Sequence, residues 1–409
     1  MHEHLVFLGI SLVVLGYGLF SKLLGKYNIS GPMVFTTVGL ILSPLILGGE
    51  PIHLNAQAIQ ITAEITLIIV LFSDAAALDL SQLKAHWRLP TRLLFVALPI
   101  TIIISTLTGI YFFPNESVLY VFLLALILAP TDAALGKIVV SDTRIPSTVR
   151  NTINVESGLN DGIVFPVLLT VLAIMTSTAP AAQDGWIAYI AQQIFVGAVA
   201  GGFAGWAGAK LMTNAIKWEW MEEQYSNLAP IALAIFSYYF AEHFGGNGYI
   251  AAFFSGLFLG NTSAPLREHV ESFAESEGEF LVMLSFLIFG LVFIPLTIEY
   301  WNFKALSFAL LSLTILRMLP VVLGFGFFKV DLSTRLFYGW FGPRGIASIL
   351  YILVAVHETG SIEGHEEIFG VASLTIFLSI FLHGFSAQPF AIFYAKSHPA
   401  EEKNDQKET

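Results

Sequence analysis

Long apolar segments follow one another along almost the whole chain and leave little room for any other kind of structure. A helical bilayer crossing needs roughly 17–25 mainly apolar residues. Thirteen segments, numbered here as spans 1–13, fit or approach that length: 5–25, 31–48, 58–80, 92–113, 117–140, 149–176, 186–213, 225–243, 246–261, 279–297, 305–326, 334–356 and 368–395. Because lipid cannot hydrogen-bond the backbone, we predict an all-α polytopic membrane protein. The charged fraction of 12% agrees, since soluble domains carry about a quarter.

Lysine and arginine fall almost entirely in alternate loops. Sixteen of the 19 lie on one side of this arrangement, Lys304 lies on the other, and Arg317 and Arg344 lie inside spans. Because basic loops remain in the cytoplasm, we expect an outside N-terminus, a cytoplasmic C-terminus and a multi-pass location in the plasma membrane, the inner membrane of a prokaryote. The sixteen are Lys22, Lys26, Lys84, Arg88, Arg92, Lys137, Arg144, Arg150, Lys210, Lys217, Arg267, Lys329, Arg335, Lys396, Lys403 and Lys407.

Span 7 separates two sets of six spans. If the two sets are inverted repeats, repeat one covers about 1–176, a linker helix about 186–213 and repeat two about 225–395. Inverted repeats of this kind are common in secondary transporters. We infer the symmetry from topology, because no residue-level repeat is visible. The transmembrane domain then covers 1–395, and 396–409 is a short cytoplasmic tail.

Two spans at matching positions in these repeats contain helix-breaking residues. Span 5 reads FLLALILAPTDAALGKIVV, in which Pro130 removes a backbone donor next to Thr131 and Asp132. Span 12 reads LFYGWFGPRGIASILYILV, interrupted at Gly342 and Pro343. We predict discontinuous helices that cross and whose free backbone groups help to form a cation site. A proline kink with a structurally paired Asp132 is the other interpretation.

The stretch NVESGLNDG, residues 154–162, places several polar side chains in the apolar span 6. On a helix, Ser157 and Asp161 are neighbours on one face, while Glu156 and Asn160 share a face rotated by about 100°. The first face offers a hydroxyl and a carboxylate to a cation. Such oxygen ligands suit an alkali cation rather than a transition metal, and the chain has no cysteine for a thiolate site.

Arg344 directly follows the break in span 12, and its permanent charge needs an anionic partner inside the membrane. We predict that Glu156 is this partner. Asp132 and Asp161 then remain as two carboxylates without a cationic partner. A carboxylate that can hold either a proton or a cation is the central requirement of an ion exchanger.

Together with APTDAA and FGPRG, the stretch NVESGLNDG resembles the NhaP-type branch of the monovalent cation/proton antiporters, and the resemblance covers essentially the whole chain. It implies that Asp161 binds proton and cation alternately, with Asp132, Thr131 and Ser157 as co-ligands. Asn160 occupies a position that is Asp in electrogenic relatives, which implies electroneutral exchange.

The resemblance has two further implications. Glu156 and Arg344 match the stabilising ion pair of the family. Family members are homodimers in which a six-helix transport bundle moves against a dimerisation scaffold, so we expect the same assembly here.

Three polar residues have roles that the motifs leave open. The family often has an acid near the end of span 3 in a Phe–acid–Gly–Leu context, and the stretch LFSDAAALDL here has Asp74 with alanines in place of the glycines. Asp74 is therefore either an outer ligand of the cation or a water-facing structural acid. Arg317 is a candidate partner for an acid of span 6 or span 3. We expect His383, in LHGFS, to pack inside span 13.

These features predict a secondary-active antiporter that exchanges Na⁺ or Li⁺ for H⁺, electroneutrally and by an elevator-type movement. K⁺/H⁺ exchange is the main alternative, because ion selectivity depends on cavity dimensions that a sequence does not give. A cation channel fits less well, because broken helices argue against an open pore, and the motif of an intramembrane aspartyl protease is missing. We expect no enzymatic activity, no cofactor and no nucleic-acid partner. The expected partners are the transported ions, the lipid bilayer and a second copy of the chain.

Overall fold

The computed structural model describes residues 2–48, 57–81, 87–132, 135, 139, 142–176, 186–326, 328 and 330–398. All regular elements within these residues are helices, which confirms the predicted all-α class. Part of the orientation argument lies outside the described residues: the tail beyond 398 and the basic residues Lys84, Lys137, Lys329, Lys403 and Lys407.

Each predicted span corresponds to helical structure in the described part of the chain. Eight helices are long and apolar enough to cross a bilayer. In chain order, the helices of the spans are His2–Lys26, Gly31–Ile41 with Pro44–Leu47, Gln57–Ala76, Arg88–Phe112, Val118–Ile127, Ser147–Thr176, Trp186–Lys217, Glu223–His243, Gly248–Thr262, Ala264–Tyr300, Phe303–Leu313 with Ile315–Gly324, Leu332–Trp340 with Ile346–Thr359, and Glu366–Ser397.

The two helix breaks occur where the sequence predicts them. In span 5 the helix ends at Ile127, and residues 128–132, which include Pro130, are not helical. In span 12, residues 341–345 separate the two half-helices. The breaks also meet in space, because the Asp132 backbone N–H donates to the Pro343 carbonyl oxygen at 2.8 Å. The prediction of discontinuous helices that cross is therefore confirmed.

Other irregularities give no clear signal in the sequence. Thr314, with φ −115° and ψ −92°, interrupts span 11 three residues before Arg317. A π-helical turn, Phe289–Phe293, precedes Pro295 in span 10. Because proline has no N–H and its ring clashes with the carbonyl four residues earlier, a widened turn accommodates it without ending the helix.

Span 9 packs backbone against backbone on span 3, and this contact fixes the helix that carries Asp74. Gly256 and Gly260 lie on the same face of span 9. A Cβ atom added to Gly256 would fall on the carbonyl oxygen of Phe72, and one added to Gly260 would fall on that of Ala76. Small residues allow this close approach in membrane helices, where van der Waals packing replaces the hydrophobic effect.

We therefore expect Gly256→Ala to destabilise the fold, since the Phe72 carbonyl cannot move without shifting its helix. Overpacking of this kind costs about 1–3 kcal/mol. The measurement is the thermal unfolding of purified protein in detergent. Gly16→Ala is the matched control, because nothing lies within 4 Å of the added Cβ. Equal unfolding temperatures for the two variants would contradict the close packing of spans 3 and 9.

Candidate functional site

Asp132 lies at the point where the two breaks meet. Its Oδ2 atom accepts a 2.8 Å hydrogen bond from the backbone N–H of Ile346, the first residue of the second half-helix of span 12. The carboxylate therefore caps a helix N-terminus, where negative charge is favoured. A Cβ atom at Gly345 would collide with the Asp132 side chain. Gly345, the second glycine of FGPRG, thus permits the close approach of span 12 to this carboxylate.

Two hydroxyls and a carboxamide connect the break of span 5 to span 6. Thr131 Oγ1 and Ser157 Oγ are 3.1 Å apart. The Asn160 side-chain N–H donates to Thr131 Oγ1 at 2.6 Å. All three residues are buried. The structure therefore brings together Thr131 and Ser157, which the family resemblance implies as co-ligands. Asn160 is a hydrogen-bond donor to Thr131.

Asp161 is buried on the same helix face as Ser157. Its side chain is 4% exposed, and its Oδ1 atom has no hydrogen-bond partner among the described residues. The backbone carbonyl of Asp161 accepts from Tyr351 Oη at 3.4 Å. The carboxyl groups of Asp74 and Asp132 are near enough for their charges to act on it. Asp161 therefore stands among carboxylates with an oxygen free to bind a proton or a cation.

Thr131, Asp132, Ser157 and Asp161 line a single cavity of about 620 Å³. At one end the cavity is lined by residues of the span 1–2 connection and of the start of span 10, including Asn28, Glu275 and Glu279. Its deep end is formed by polar residues of spans 3, 5 and 6: Ser73, Asp74, Thr131, Asp132, Ser157 and Asp161. Asp74 is partly exposed there. The cavity connects the candidate ligands with the side of the protein where most basic loops occur.

Aromatic side chains lie on the other side of Asp161. Phe165 is in ring contact with Tyr351, at 4.9 Å between centroids, and with Tyr249, at 5.2 Å. Beyond them is a smaller cavity of about 280 Å³, lined in part by Tyr249, Glu242 and Glu358. This aromatic cluster, Phe165, Tyr249 and Tyr351, connects Asp161, whose carbonyl accepts from Tyr351, with the smaller cavity, which Tyr249 lines.

The buried ion pair is not the one predicted for Arg344, but it matches the candidate pairing of Arg317 with an acid of span 6. Glu156 pairs with Arg317 of span 11, whose Nη2 donates to Glu156 Oε1, and both side chains are at most 2% exposed. The predicted Glu156–Arg344 ion pair is not formed. Instead, Arg344 Nη1 donates to the carbonyl oxygen of Gly342. The helix break leaves the Gly342 carbonyl without a helical partner, and the Arg344 guanidinium, two residues later, binds it.

Several side chains that support the site did not stand out in the sequence. Ser348 Oγ donates to the Ile127 carbonyl at 2.7 Å, which satisfies the last turn of the span 5 helix. Tyr351, three residues later on the same helix, donates to Asp161. Ser379 of span 13 accepts from the backbone N–H of Arg344 at 2.7 Å. The sequence signal that could have found these residues is the helical spacing of the hydroxyl side chains in spans 12 and 13.

Comparison with known proteins places this arrangement in a family. Residues 9–393 match the family model described as "Sodium/hydrogen exchanger, transmembrane". The chain belongs to the sodium/hydrogen exchanger family. Exchangers of this family are transporters rather than enzymes, and they work without a cofactor.

Individual relatives of this chain are distant but cover most of it. The K⁺/H⁺ antiporter NhaP of Alkalimonas amylolytica is 24% identical over 91% of this chain, which spans 64% of that relative. A probable Na⁺/H⁺ antiporter of Schizosaccharomyces pombe is 26% identical over 73% of this chain, which spans 42% of its length. The chain thus spans less than two thirds of these two relatives.

A solved structure has the same fold as this chain. The sodium proton antiporter MjNhaP1 from Methanocaldococcus jannaschii, determined at pH 8, superposes with a TM-score of 0.78 at 20% sequence identity. The match covers 97% of this chain and 100% of that chain. The likeness establishes the fold of the described helices.

We expect Arg317→Met to destabilise the protein strongly, because it leaves the buried Glu156 carboxylate without its ion-pair partner. Breaking a buried pair in this way costs about 3–5 kcal/mol. The measurement is again thermal unfolding in detergent. Arg144→Met removes an exposed arginine paired with Asp142 and is expected to change little. An Arg317→Met protein as stable as the Arg144→Met protein would show that the Glu156–Arg317 pair contributes nothing.

Proposed function

We propose that this protein is a secondary-active antiporter that exchanges Na⁺, or Li⁺, for H⁺. The observation that carries the proposal is the convergence of Asp161, Asp132, Thr131 and Ser157 on one cavity at the contact between the two broken spans. Intramembrane carboxylates are costly and are found where ions or protons pass. Discontinuous helices at mid-membrane are the usual place for substrate and ion sites in transporters.

Competition between the proton and the cation for Asp161 couples the movements of the two ions. All side chains in the deep part of the cavity that can bind a cation offer oxygen, the ligand type preferred by alkali cations. The unpartnered Asp161 Oδ1 can bind a proton, or it can bind a cation together with Asp132, Thr131 and Ser157. Both ions cannot occupy the same carboxylate oxygens. Each return of the site across the membrane therefore carries one ion or the other.

Asn160 makes the exchange electroneutral. It is neutral, and its N–H donates to Thr131 Oγ1, so it orients a ligand without adding a titrating group. Asp161 is then the only group that changes its occupant, one proton for one monovalent cation. An aspartate at position 160 would accept rather than donate and would add a second negative charge.

Access alternates between the two sides of the membrane by an elevator-type movement. In this structure the large cavity reaches the end of the protein where the basic loops lie, which is the cytoplasmic side by the distribution of Lys and Arg. The N-terminus is then outside and the C-terminus is in the cytoplasm. The aromatic cluster closes the path on the opposite side. Repeat one (about 1–176) and repeat two (about 225–395) supply the two broken helices, with span 7 as the linker.

The protein works as a homodimer in the plasma membrane. Span 1 packs weakly on the rest of the described chain: Leu12, Leu15 and Leu19 are 59%, 61% and 70% exposed. Such a face needs an apolar cover, which lipid and a second subunit together provide. The family resemblance in NVESGLNDG supports the dimer.

K⁺/H⁺ exchange is the second candidate, and one observation favours it. The relative from Alkalimonas amylolytica, similar over 91% of this chain, is named a K⁺/H⁺ antiporter. A Na⁺/H⁺ antiporter of Schizosaccharomyces pombe is 23% identical over the same share of this chain. The two activities use the same chemistry and differ in the size of the ion that the oxygen ligands surround.

We expect Asp161→Asn to abolish cation-driven proton flux, because a carboxamide can neither release a proton nor neutralise a cation. The measurement is proton efflux from proteoliposomes on addition of Na⁺, Li⁺, K⁺ or choline. Asp142→Asn, in a loop and paired with Arg144, is the matched control and retains the flux. Retained exchange in Asp161→Asn would sink the mechanism, and flux with K⁺ in place of Na⁺ would select the second candidate.

We expect the rate of exchange to be independent of membrane potential, because one charge moves in each direction. The measurement compares the initial rates of Na⁺-driven proton flux in proteoliposomes with and without an imposed potential. A rate that follows the sign of the potential would overturn the electroneutral assignment while leaving the antiport itself intact.

A further inference from the structure

Three polar residues of span 13 form a stripe that faces the break of span 12. Ser379, His383 and Ser386 are spaced by four and three positions, so they lie on one helix face. Ser379 and His383 are buried at 0% and 2% exposure. They belong to neither cavity described above and take no part in the proposed ion binding.

The stripe contacts the residue at which the first half-helix of span 12 ends. Trp340 is the last residue of Leu332–Trp340. Its indole Nε1–H donates to Ser386 Oγ at 2.9 Å, and its ring lies against His383 with 4.9 Å between centroids. The upstream side of the break is therefore attached to span 13 by two adjacent contacts.

The stripe also contacts the downstream side of the break. Ser379 Oγ accepts from the backbone N–H of Arg344 at 2.7 Å. This N–H lies in a non-helical, buried segment, and a buried N–H without a partner is costly. His383 Nδ1 lies 3.2 Å from Ser379 Oγ and 3.0 Å from the Ser379 carbonyl oxygen. The imidazole thus restricts the rotation of the serine hydroxyl and keeps it directed at Arg344.

The segment that the stripe holds is the one that binds Asp132. Within residues 341–345, the Pro343 carbonyl accepts from the Asp132 backbone N–H. Immediately after the segment, the Ile346 N–H donates to the Asp132 carboxylate. A change in the position of the segment therefore moves both groups that orient this carboxylate.

We propose that Ser379, His383 and Ser386 are positioning residues for cation binding: they fix the break of span 12 from behind and, through it, the carboxylate of Asp132. The transport consequence rests on the proposed antiport function. The structural part of the proposal, that the stripe holds residues 341–345 in place, is independent of the antiport function.

We expect Ser379→Ala to raise the half-saturating cation concentration roughly three- to tenfold, the equivalent of one lost hydrogen bond, with the maximal rate nearly unchanged. Ser373→Ala is the matched control. Ser373 is on the same helix and equally buried, but its hydroxyl bonds Thr297 Oγ1 at 2.7 Å and Trp301 Nε1 at 3.1 Å, away from the break. Ser379→Thr retains a hydroxyl and restores the affinity.

A second measurement tests the stripe without transport. Hydrogen–deuterium exchange of peptides covering residues 341–346 is faster in Ser379→Ala than in the native protein and unchanged in Ser373→Ala. Equal exchange in all three proteins, or an equal loss of cation affinity in the two alanine variants, would overturn the proposal. If the native protein does not exchange ions, the antiport proposal fails, and the deuterium exchange alone decides whether the stripe holds the break.

Discussion

The contact between the two broken spans is the interaction on which the rest of the site depends. Pro130 and the Gly342–Pro343 pair free backbone groups inside two spans, where an unsatisfied buried group is costly. The structure satisfies them with each other and with Asp132, which accepts from Ile346 while its own N–H donates to Pro343. In our proposal Asp132 is a cation ligand, so the same carboxylate is both a ligand and a structural part of the crossing.

Buried charge is divided between two neighbouring regions. Glu156 and Arg317 neutralise each other away from the cavity, with Arg344 held on the Gly342 carbonyl. Asp74, Asp132 and Asp161 remain around the cavity, which connects them with the surface. Glu156 is neutralised by Arg317, and in our proposal Asp161 binds the exchangeable ion. In our proposal, this separation lets one helix, span 6, carry both a structural acid and a transport acid.

Helix periodicity predicted much of the site, because neighbours on one helix are fixed by the 3.6-residue repeat. The pairing of Ser157 with Asp161 on one face follows from that repeat, whereas the grouping of Ser157 with Thr131 was implied by the family resemblance. The partner of Glu156 did not follow. Arg344 and Arg317 were both plausible cations, and in the structure Arg317 pairs with Glu156 while Arg344 binds the carbonyl of Gly342. The stripe on span 13 was not predicted either: its serines and histidine stand at helical spacing, but the spacing does not tell which element they face.

By itself, the sequence determined that this chain is an all-α membrane protein of about thirteen helical spans, that spans 5 and 12 are broken, and which polar side chains lie within the spans. These are local properties, set by hydropathy, by the missing N–H of proline and by helical spacing. Only the tertiary structure decided which arginine neutralises Glu156, which hydroxyls satisfy the open backbone, and to which side the cavity leads. Those outcomes depend on contacts between residues as much as 221 positions apart, such as Ile127 and Ser348, and a local pattern carries no information about such distances.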